Sequence, residues 1–226
     1  MKIAVTSDLH GYLPKIEPCE ILLICGDICP TENHNSSFQE LWLINKFIPW
    51  VASCEVEKVM FIAGNHDFYF AKRNFNDINP IKDKLVYMQN TLVYYKSYFN
   101  NERIYKIFGT PYCKQFSNWA FMESPEMLHE YYSIIPEDLD IFISHDAPQI
   151  EGLGMILEEG NWQYGNNAGN YSLGQFVLDR KPKYAFCGHI HSGDHNLINV
   201  DGIKLANVSL VNEEYEPVNP VLYLDI

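Results

Sequence analysis

Five short apolar runs in this chain each end in residues that bind cations or move protons rather than pack. Lys2-Ile3-Ala4-Val5 leads to Asp8 and His10, and Ile21-Leu22-Leu23-Ile24-Cys25-Gly26 leads to Asp27. Lys58-Val59-Met60-Phe61-Ile62-Ala63 leads to Gly64-Asn65-His66-Asp67. Ile141-Phe142-Ile143-Ser144 leads to His145, and Tyr184-Ala185-Phe186-Cys187-Gly188 leads to His189 and His191. Apolar runs of this length read as buried strands, so each donor stands where a strand leaves its sheet. Asp8, His10, Asp27, Asn65, His145, His189 and His191 make seven oxygen or imidazole donors, two of them anionic. A mixed set without thiolate suits Mn²⁺, Fe, Zn²⁺, Co²⁺ or Ni²⁺ better than Ca²⁺, with Mg²⁺ less favoured.

The spacing carries geometry as well as chemistry. Alternate residues of an extended chain share a face, so Asp8-x-His10 and His189-x-His191 are expected to present paired donors. Asp27 follows a glycine that allows close backbone approach, and its carboxylate can bridge two cations with one oxygen to each. Two divalent cations set against two carboxylates leave an excess of about two positive charges, which draws and polarises a phosphate.

The elements that must position these donors alternate strand with helix, an α/β layered core. Strands are expected near residues 2–6, 21–25, 58–62, 140–144 and 183–187. Ser36 to Glu40 opens a capped helix with apolar positions at Leu41, Leu43, Ile44, Phe47 and Ile48, bent or interrupted by Pro49. Ser124-Pro125-Glu126 starts a second helix towards Tyr132, and Leu173 to Asp179 forms a third, stopped before Pro182. Residues 91–95 and 103–108 read as a hairpin turning at Asn100-Asn101, and 201–211 and 220–226 as two more strands. With no repeat and no low-complexity linker, residues 1–226 read as one domain. Gly152 to Asn170, rich in Gly and Asn and holding Trp162 and Tyr164, is a long loop expected to face substrate.

Composition narrows the partners. At 226 residues and 47% hydrophobic the chain is globular and long enough to bury a large core. A net charge of −13 disfavours a groove tracking an extended nucleic acid, yet leaves a small phosphate ester open to a local cation cluster. No run approaches the ~18 apolar residues of a membrane span. Met1 to Val5 does not read as a signal peptide. The six cysteines include no Cys-x-x-Cys pair and read as reduced thiols of a cytoplasmic protein. His34, His129 and His195 fall outside the motifs, His129 reading as helix surface and His195 as a solvated loop residue. Asn166, Asn167 and Asn170 suit turn chemistry or a substrate hydrogen bond, and Tyr94, Tyr95 and Tyr98 a sheet face.

Asp8-x-His10, Gly26-Asp27, Gly64-Asn65-His66-Asp67, His145 and Gly188-His189-x-His191 resemble, in order, the five motifs of the calcineurin-like metallophosphoesterase superfamily. The likeness runs from residue 8 to residue 191. Ser144-His145-Asp146-Ala147-Pro148 resembles the His-x-x-Pro stretch of small cyclic-nucleotide-phosphodiesterase-like members, including the brain-type metallophosphoesterase-domain proteins. The resemblance implies a four-layer αββα sandwich, two mixed β-sheets flanked by helices. It implies a dinuclear phosphoesterase, with Mn²⁺ the first choice of metal, acting on a small phosphate mono- or diester. One metal would be held by Asp8, His10, Asp27 and His191, the other by Asp27, Asn65, His145 and His189. A bridging hydroxide would attack phosphorus in line. His66 matches the family histidine that holds the phosphate and protonates the leaving oxygen. Asp67 would orient a neighbouring imidazole, or serve as a structural turn residue. Two alternatives stay open: a nuclease on short or single-stranded nucleic acid, and a non-catalytic scaffold of the same fold. Oligomeric state and physiological substrate stay open as well.

Overall fold

The structure, a computed structural model, describes residues 1–97 and 102–226; the expected turn at Asn100-Asn101, and Tyr98, lie outside the described residues. In chain order the strands are β1 (Lys2–Thr6), β2 (Cys19–Cys25), β3 (Val56–Ile62), β4 (Leu85–Tyr87), β5 (Thr91–Lys96), β6 (Ile104–Thr110) and β7 (Cys113–Lys114). There follow β8 (Met122–Glu123), β9 (Ile141–Ser144), β10 (Tyr184–Cys187), β11 (Ile198–Val200), β12 (Ile203–Asn207) and β13 (Leu222–Asp225). The helices are α1 (Ser36–Trp42), α2 (Ile48–Ser53), α3 (Phe68–Lys72), α4 (Pro125–Ser133) and α5 (Tyr171–Arg180).

Two large mixed sheets result. One has the order β13-β1-β2-β3-β4 and the other β11-β12-β10-β9-β6-β5. β1 to β4 run parallel, as do β12, β10, β9 and β6, while β13, β11 and β5 are antiparallel edges. Parallel strands buried on both faces read as continuous apolar runs, which is why the sequence showed runs rather than alternation.

Period-two geometry divides those runs between three cores. Ile3, Val5, Ile21, Leu23, Met60 and Ile62 of the first sheet meet Ile107, Ile141, Ile143 and Phe186 of the second. The intervening residues Ala4, Leu22, Ile24, Val59 and Phe61 face away, against Leu43, Phe47, Ile48, Val51, Tyr69 and Phe70 of the α1–α3 segment. On the far side Phe108, Phe142, Ala185 and Leu205 pack against Leu128 and Tyr132 of α4 and Leu173 and Val177 of α5. Helix, sheet, sheet and helix form the expected four layers.

Local chemistry sets the element ends. Asn35, one residue before the expected start, caps α1 by accepting from the Ser37 and Phe38 amides. Pro49 does not end the helix. A single wide turn, Leu43–Phe47, precedes it, with the Ile48 N–H reaching the Leu43 carbonyl. A proline has no N–H to return to the previous turn, and the widened turn absorbs that loss. Ser124 and Asn170 cap α4 and α5 through Met127 and Leu173. Asn170 is thereby a turn residue, buried and bonded through Nδ2 to Asp146 and Tyr132. No helix among the described residues is long and apolar enough to cross a membrane. All six cysteines are unpaired thiols.

The register brings the donors together. Thr6 lies opposite Ile24, and Ile24 opposite Phe61, so β1, β2 and β3 end side by side. Phe186 and Gly109 both lie opposite Ile143, which aligns the ends of β10, β9 and β6.

Candidate metal centre

Past the strand ends the backbone turns left-handed at four of the seven expected donors. Asp8, His10, Asp27 and His189 have φ of 53°, 42°, 49° and 71°. Non-glycine residues seldom adopt this conformation, and such strain clusters at functional sites. The pairs Asp8/His10 and His189/His191 are therefore not extended: β1 stops at Thr6 and β10 at Cys187, and turns, not strand alternation, present the side chains. Two turns lie against each other, with the Asp8 amide donating to the Gly26 carbonyl and the His10 amide to the Asp27 carbonyl, both at 2.9 Å. The glycines of the motifs are required by space. A Cβ on Gly26, whose φ is +100°, would sit 2.6 Å from His145 Nδ1 and 2.7 Å from the Ala63 carbonyl. One on Gly64 would strike the Asp27 carboxylate.

Two groups of donor atoms converge within 4.8 Å of one another: Asp8, His10 and His191, and Asp8, Asp27 and His145. Asp27 Oδ2 stands 3.7 Å from His10 Nε2 and 3.4 Å from His145 Nε2, between the two groups. Its other oxygen, Oδ1, accepts the His66 amide at 2.7 Å. Asp8 is common to both groups, and Asp27 Oδ2 is the oxygen of Asp27 nearest a histidine of each. Asn65 Oδ1 joins the second group, 2.9 Å from His145 Nε2. His189 is outside both groups; its ring lies edge-on to His145 with centroids 5.0 Å apart, and its amide donates to both Asp8 oxygens at 3.1 Å.

The hydrogen bonds around these donors fit a cation. His145 Nδ1 is 3.0 Å from the Cys25 carbonyl and must donate there, so the Nε2 lone pair points at the oxygens of Asn65 and Asp27. His191 Nδ1 likewise faces the Asn212 carbonyl at 3.1 Å, turning its Nε2 lone pair towards Asp8 Oδ1 and His10 Nε2, each 3.3 Å away. Lone pairs aimed at one another are repulsive unless a proton or a metal ion lies between them. Electrostatics says the same. Burial opposes charge on His145, but the Asp27 carboxylate outweighs it and raises the imidazole to about 10. Burial pushes His10 down to about 3, and burial with the His145 charge pushes His189 to about 4. Burial also works against the Asp8 and Asp27 carboxylates, yet the surrounding imidazoles hold both well below the usual range. A potential that keeps a proton on a buried imidazole attracts a divalent cation in its place.

Asp67 takes the structural alternative. Its carboxylate, fully buried, accepts the amides of Ile28, Cys29 and Gly64 at 2.8 to 3.1 Å and reaches no imidazole. It clips the Asp27 turn to the Asn65 turn. Burial and the Asp27 charge raise it to about 6, against the pull of those three amides.

His66 lies at the edge of the centre, Nε2 4.0 Å from Asp27 Oδ2. Its carbonyl accepts from Gln39 Nε2 at 2.7 Å, and Gln39 Oε1 in turn accepts the Tyr69 amide, so α1 and α3 pin the residue. Several neighbours escaped sequence reasoning. His34 Nε2 is 2.9 Å from His66 Nδ1, and the Trp119 ring covers His66 at 4.5 Å. Tyr215 stands edge-on to His10 at 4.8 Å. Neither Trp119 nor Tyr215 belongs to a strand-end pattern, and neither carries a local signal. Ser209 Oγ donates to Asp8 Oδ2 at 2.8 Å, and Asn207 holds the Leu153 and Ile190 carbonyls. These two polar residues, alternating at the end of the apolar run Ile203–Asn207 and beyond, could have been found by the strand-end pattern. His195 is not a solvated loop residue: its ring bridges the Asn207 and His191 carbonyls at 3.2 and 2.9 Å. His129 is on the exposed side of α4, as expected.

The long loop lacks regular structure from Asp146 to Asn170, apart from isolated bridges such as Met155 with Asn167. Gln163, Asn166 and Asn167 line a cavity of about 770 Å³ with Lys114, Phe116 and His189, so the loop opens onto the edge of the centre. Lys114 Nζ latches it through the Ala168 carbonyl at 2.6 Å.

Known proteins resemble this chain in sequence or in fold. The chain is 27% identical over 254 residues to the human metallophosphoesterase domain-containing protein 1, covering 100% of this chain and 71% of that protein. The crystal structure of TT1561 from Thermus thermophilus superposes with a TM-score of 0.60 at 12% identity, covering 91% of this chain and 88% of that one. Phosphopantetheinyl hydrolase from Mycobacterium tuberculosis gives 0.57 at 13% identity, covering 95% and 90%. At those identities the two structures show a shared fold. The family model for calcineurin-like phosphoesterases matches residues 1–193, which take in every donor described above, and the chain belongs to that metal-dependent family.

Proposed function

We propose that this protein is a dinuclear metal-dependent phosphoesterase hydrolysing a small phosphate mono- or diester. Asp8, His10, Asp27 and His191 would hold one cation, and Asp27, Asn65, His145 and His189 the other. The observation that carries this reading is Asp27 Oδ2, placed between His10 Nε2 and His145 Nε2 at 3.7 and 3.4 Å with its partner oxygen already committed to an amide. Bound divalent cations, Mn²⁺ foremost, supply charge neutralisation at phosphate and activation of water near neutral pH.

The chain's own residues do the rest. Asp27 divides one negative charge between two donor groups and keeps them in register. His191 and His145 are held in the tautomer that offers Nε2, by the Asn212 and Cys25 carbonyls. His66 presents Nε2 to the centre and would donate a proton to the leaving oxygen. Asn166, Asn167 and Gln163 would face the ester's organic group in the adjoining cavity. The net charge of −13 favours a small ester over a polymeric one. Six unpaired thiols suit the cytoplasm, and residues 1–226 would act as one domain.

Purified protein with added Mn²⁺ should hydrolyse a generic aryl phosphate monoester or diester, and excess chelator should abolish turnover. Full turnover in excess chelator would rule the mechanism out.

A further inference from the structure

We infer that His34 is a positioning residue for the proposed reaction, orienting His66 so that its Nε2 proton meets the leaving oxygen. The inference rests on His66 acting as proton donor, and its test separates the two. The resemblance offers Asp67 as a carboxylate to orient a neighbouring imidazole, but that carboxylate is spent on three backbone amides. His34 occupies the vacant role from another part of the chain. It precedes the Asn35 cap of α1, and its Nε2 lies 2.9 Å from His66 Nδ1.

An imidazole has two nitrogens, and the partner of one decides what the other presents. With the His34 Nε2 lone pair accepting the Nδ1–H of His66, the His66 ring keeps that hydrogen when it gives its other proton to the leaving oxygen from Nε2. That nitrogen is the one 4.0 Å from Asp27 Oδ2, at the junction of the two donor groups. The His34 ring is itself held, edge-on to Trp119 at 5.0 Å and tilted against Phe68 at 5.5 Å. Trp119 also covers His66 at 4.5 Å, so neither ring can turn without displacing the indole. A neutral partner fixes direction without placing a second fixed anion beside a site that binds a phosphate dianion.

A residue that aims a proton matters in proportion to how badly the leaving group needs one. The test uses Mn²⁺-loaded full-length protein and two aryl phosphate substrates, one with nitrophenol as leaving group and one with unsubstituted phenol. Metal content is measured on every variant. His66→Ala should lose ~10²-fold or more in kcat on the phenyl ester and much less on the nitrophenyl ester. His34→Ala should show the same pattern at ~10-fold, with KM and metal content unchanged, and His34→Gln, which keeps an acceptor in its amide oxygen, should recover most of the loss. Equal losses on both substrates for His66→Ala overturn the proton-donor reading itself. A leaving-group-dependent loss for His66→Ala, with a uniform loss or none for His34→Ala, overturns the role of His34 alone. Loss of metal in both His34 variants overturns it too, by making His34 part of the cation site's framework.

Discussion

His10 and His191 meet nitrogen to nitrogen, their Nε2 atoms 3.3 Å apart. Because His191 Nδ1 already donates to the Asn212 carbonyl, its Nε2 meets His10 as a lone pair that only a proton or a cation can satisfy. A histidine pair held apart by nothing but itself would be pushed open. Here Asp8 Oδ1 and the Tyr215 ring flank it, and Ser209 holds the other Asp8 oxygen.

Asp27→Asn tests the shared oxygen. The amide keeps the shape but cannot place one anionic oxygen against both donor groups. Bound Mn²⁺ should fall below one equivalent per chain by elemental analysis, and turnover should drop by more than ~10²-fold, since even an outer partner of a ligand is worth 10-fold or more. An unchanged metal content would move the bridge to another residue.

Cation binding should also be visible in stability. The two donor groups come from both sheets, Asp8 and Asp27 from one and His145 and His191 from the other. Mn²⁺ at about 100 times its Kd should add ~2.7 kcal/mol to unfolding, read as a rise in Tm that chelator reverses. A Tm insensitive to metal and chelator would mean that the sheets do not share the ion.

Asp67→Ala should act on folding first. It strands three buried amides, those of Ile28, Cys29 and Gly64, at a cost of about 3 kcal/mol in denaturant unfolding. Any activity left should scale with the folded fraction. A stable Asp67→Ala protein with turnover specifically lost would restore a direct role for this carboxylate.

The pH dependence of folding has a contributor far from the centre. Burial works against ionised Asp140, but Lys183, the Lys106 amide and Arg103 pull its pKa below the usual value. The contacts are at 2.7 to 2.9 Å. A depressed carboxylate stabilises above its unfolded pKa of about 3.9 and loses that contribution as pH falls through the folded value. Asp140→Asn should therefore be about 1–3 kcal/mol less stable at pH 7 and should lose less further stability between pH 5 and pH 3 than the parent. Parallel acid curves for the two proteins would exclude Asp140 as a source.

Most of the fold was legible because both faces of the central strands are buried, which turns them into unbroken apolar runs. The hairpin β5–β6 and the Ser124 cap followed from local chemistry. Less visible were the reasons for donor placement. Alternation along an extended chain predicts that His189 and His191 act together, yet the left-handed turn at His189 sends its ring to His145 while His191 joins Asp8 and His10. His34 and Trp119 carry no periodicity and no motif. They reach His66 only because the α1 segment and the 111–121 loop fold over the same rim, a contact that spacing along the chain does not encode.

The left-handed turns restrict which amino acids can supply ligands at all. Aspartate, asparagine, histidine and glycine tolerate that backbone better than longer or branched residues. Glutamate has the same charge and takes this backbone elsewhere in the chain, at Glu102 and Glu151. Positions 8 and 27, however, are fully buried and leave an extra methylene no open space. The ligand alphabet at this rim is therefore narrowed by torsion angle and enclosure together before coordination chemistry makes any choice.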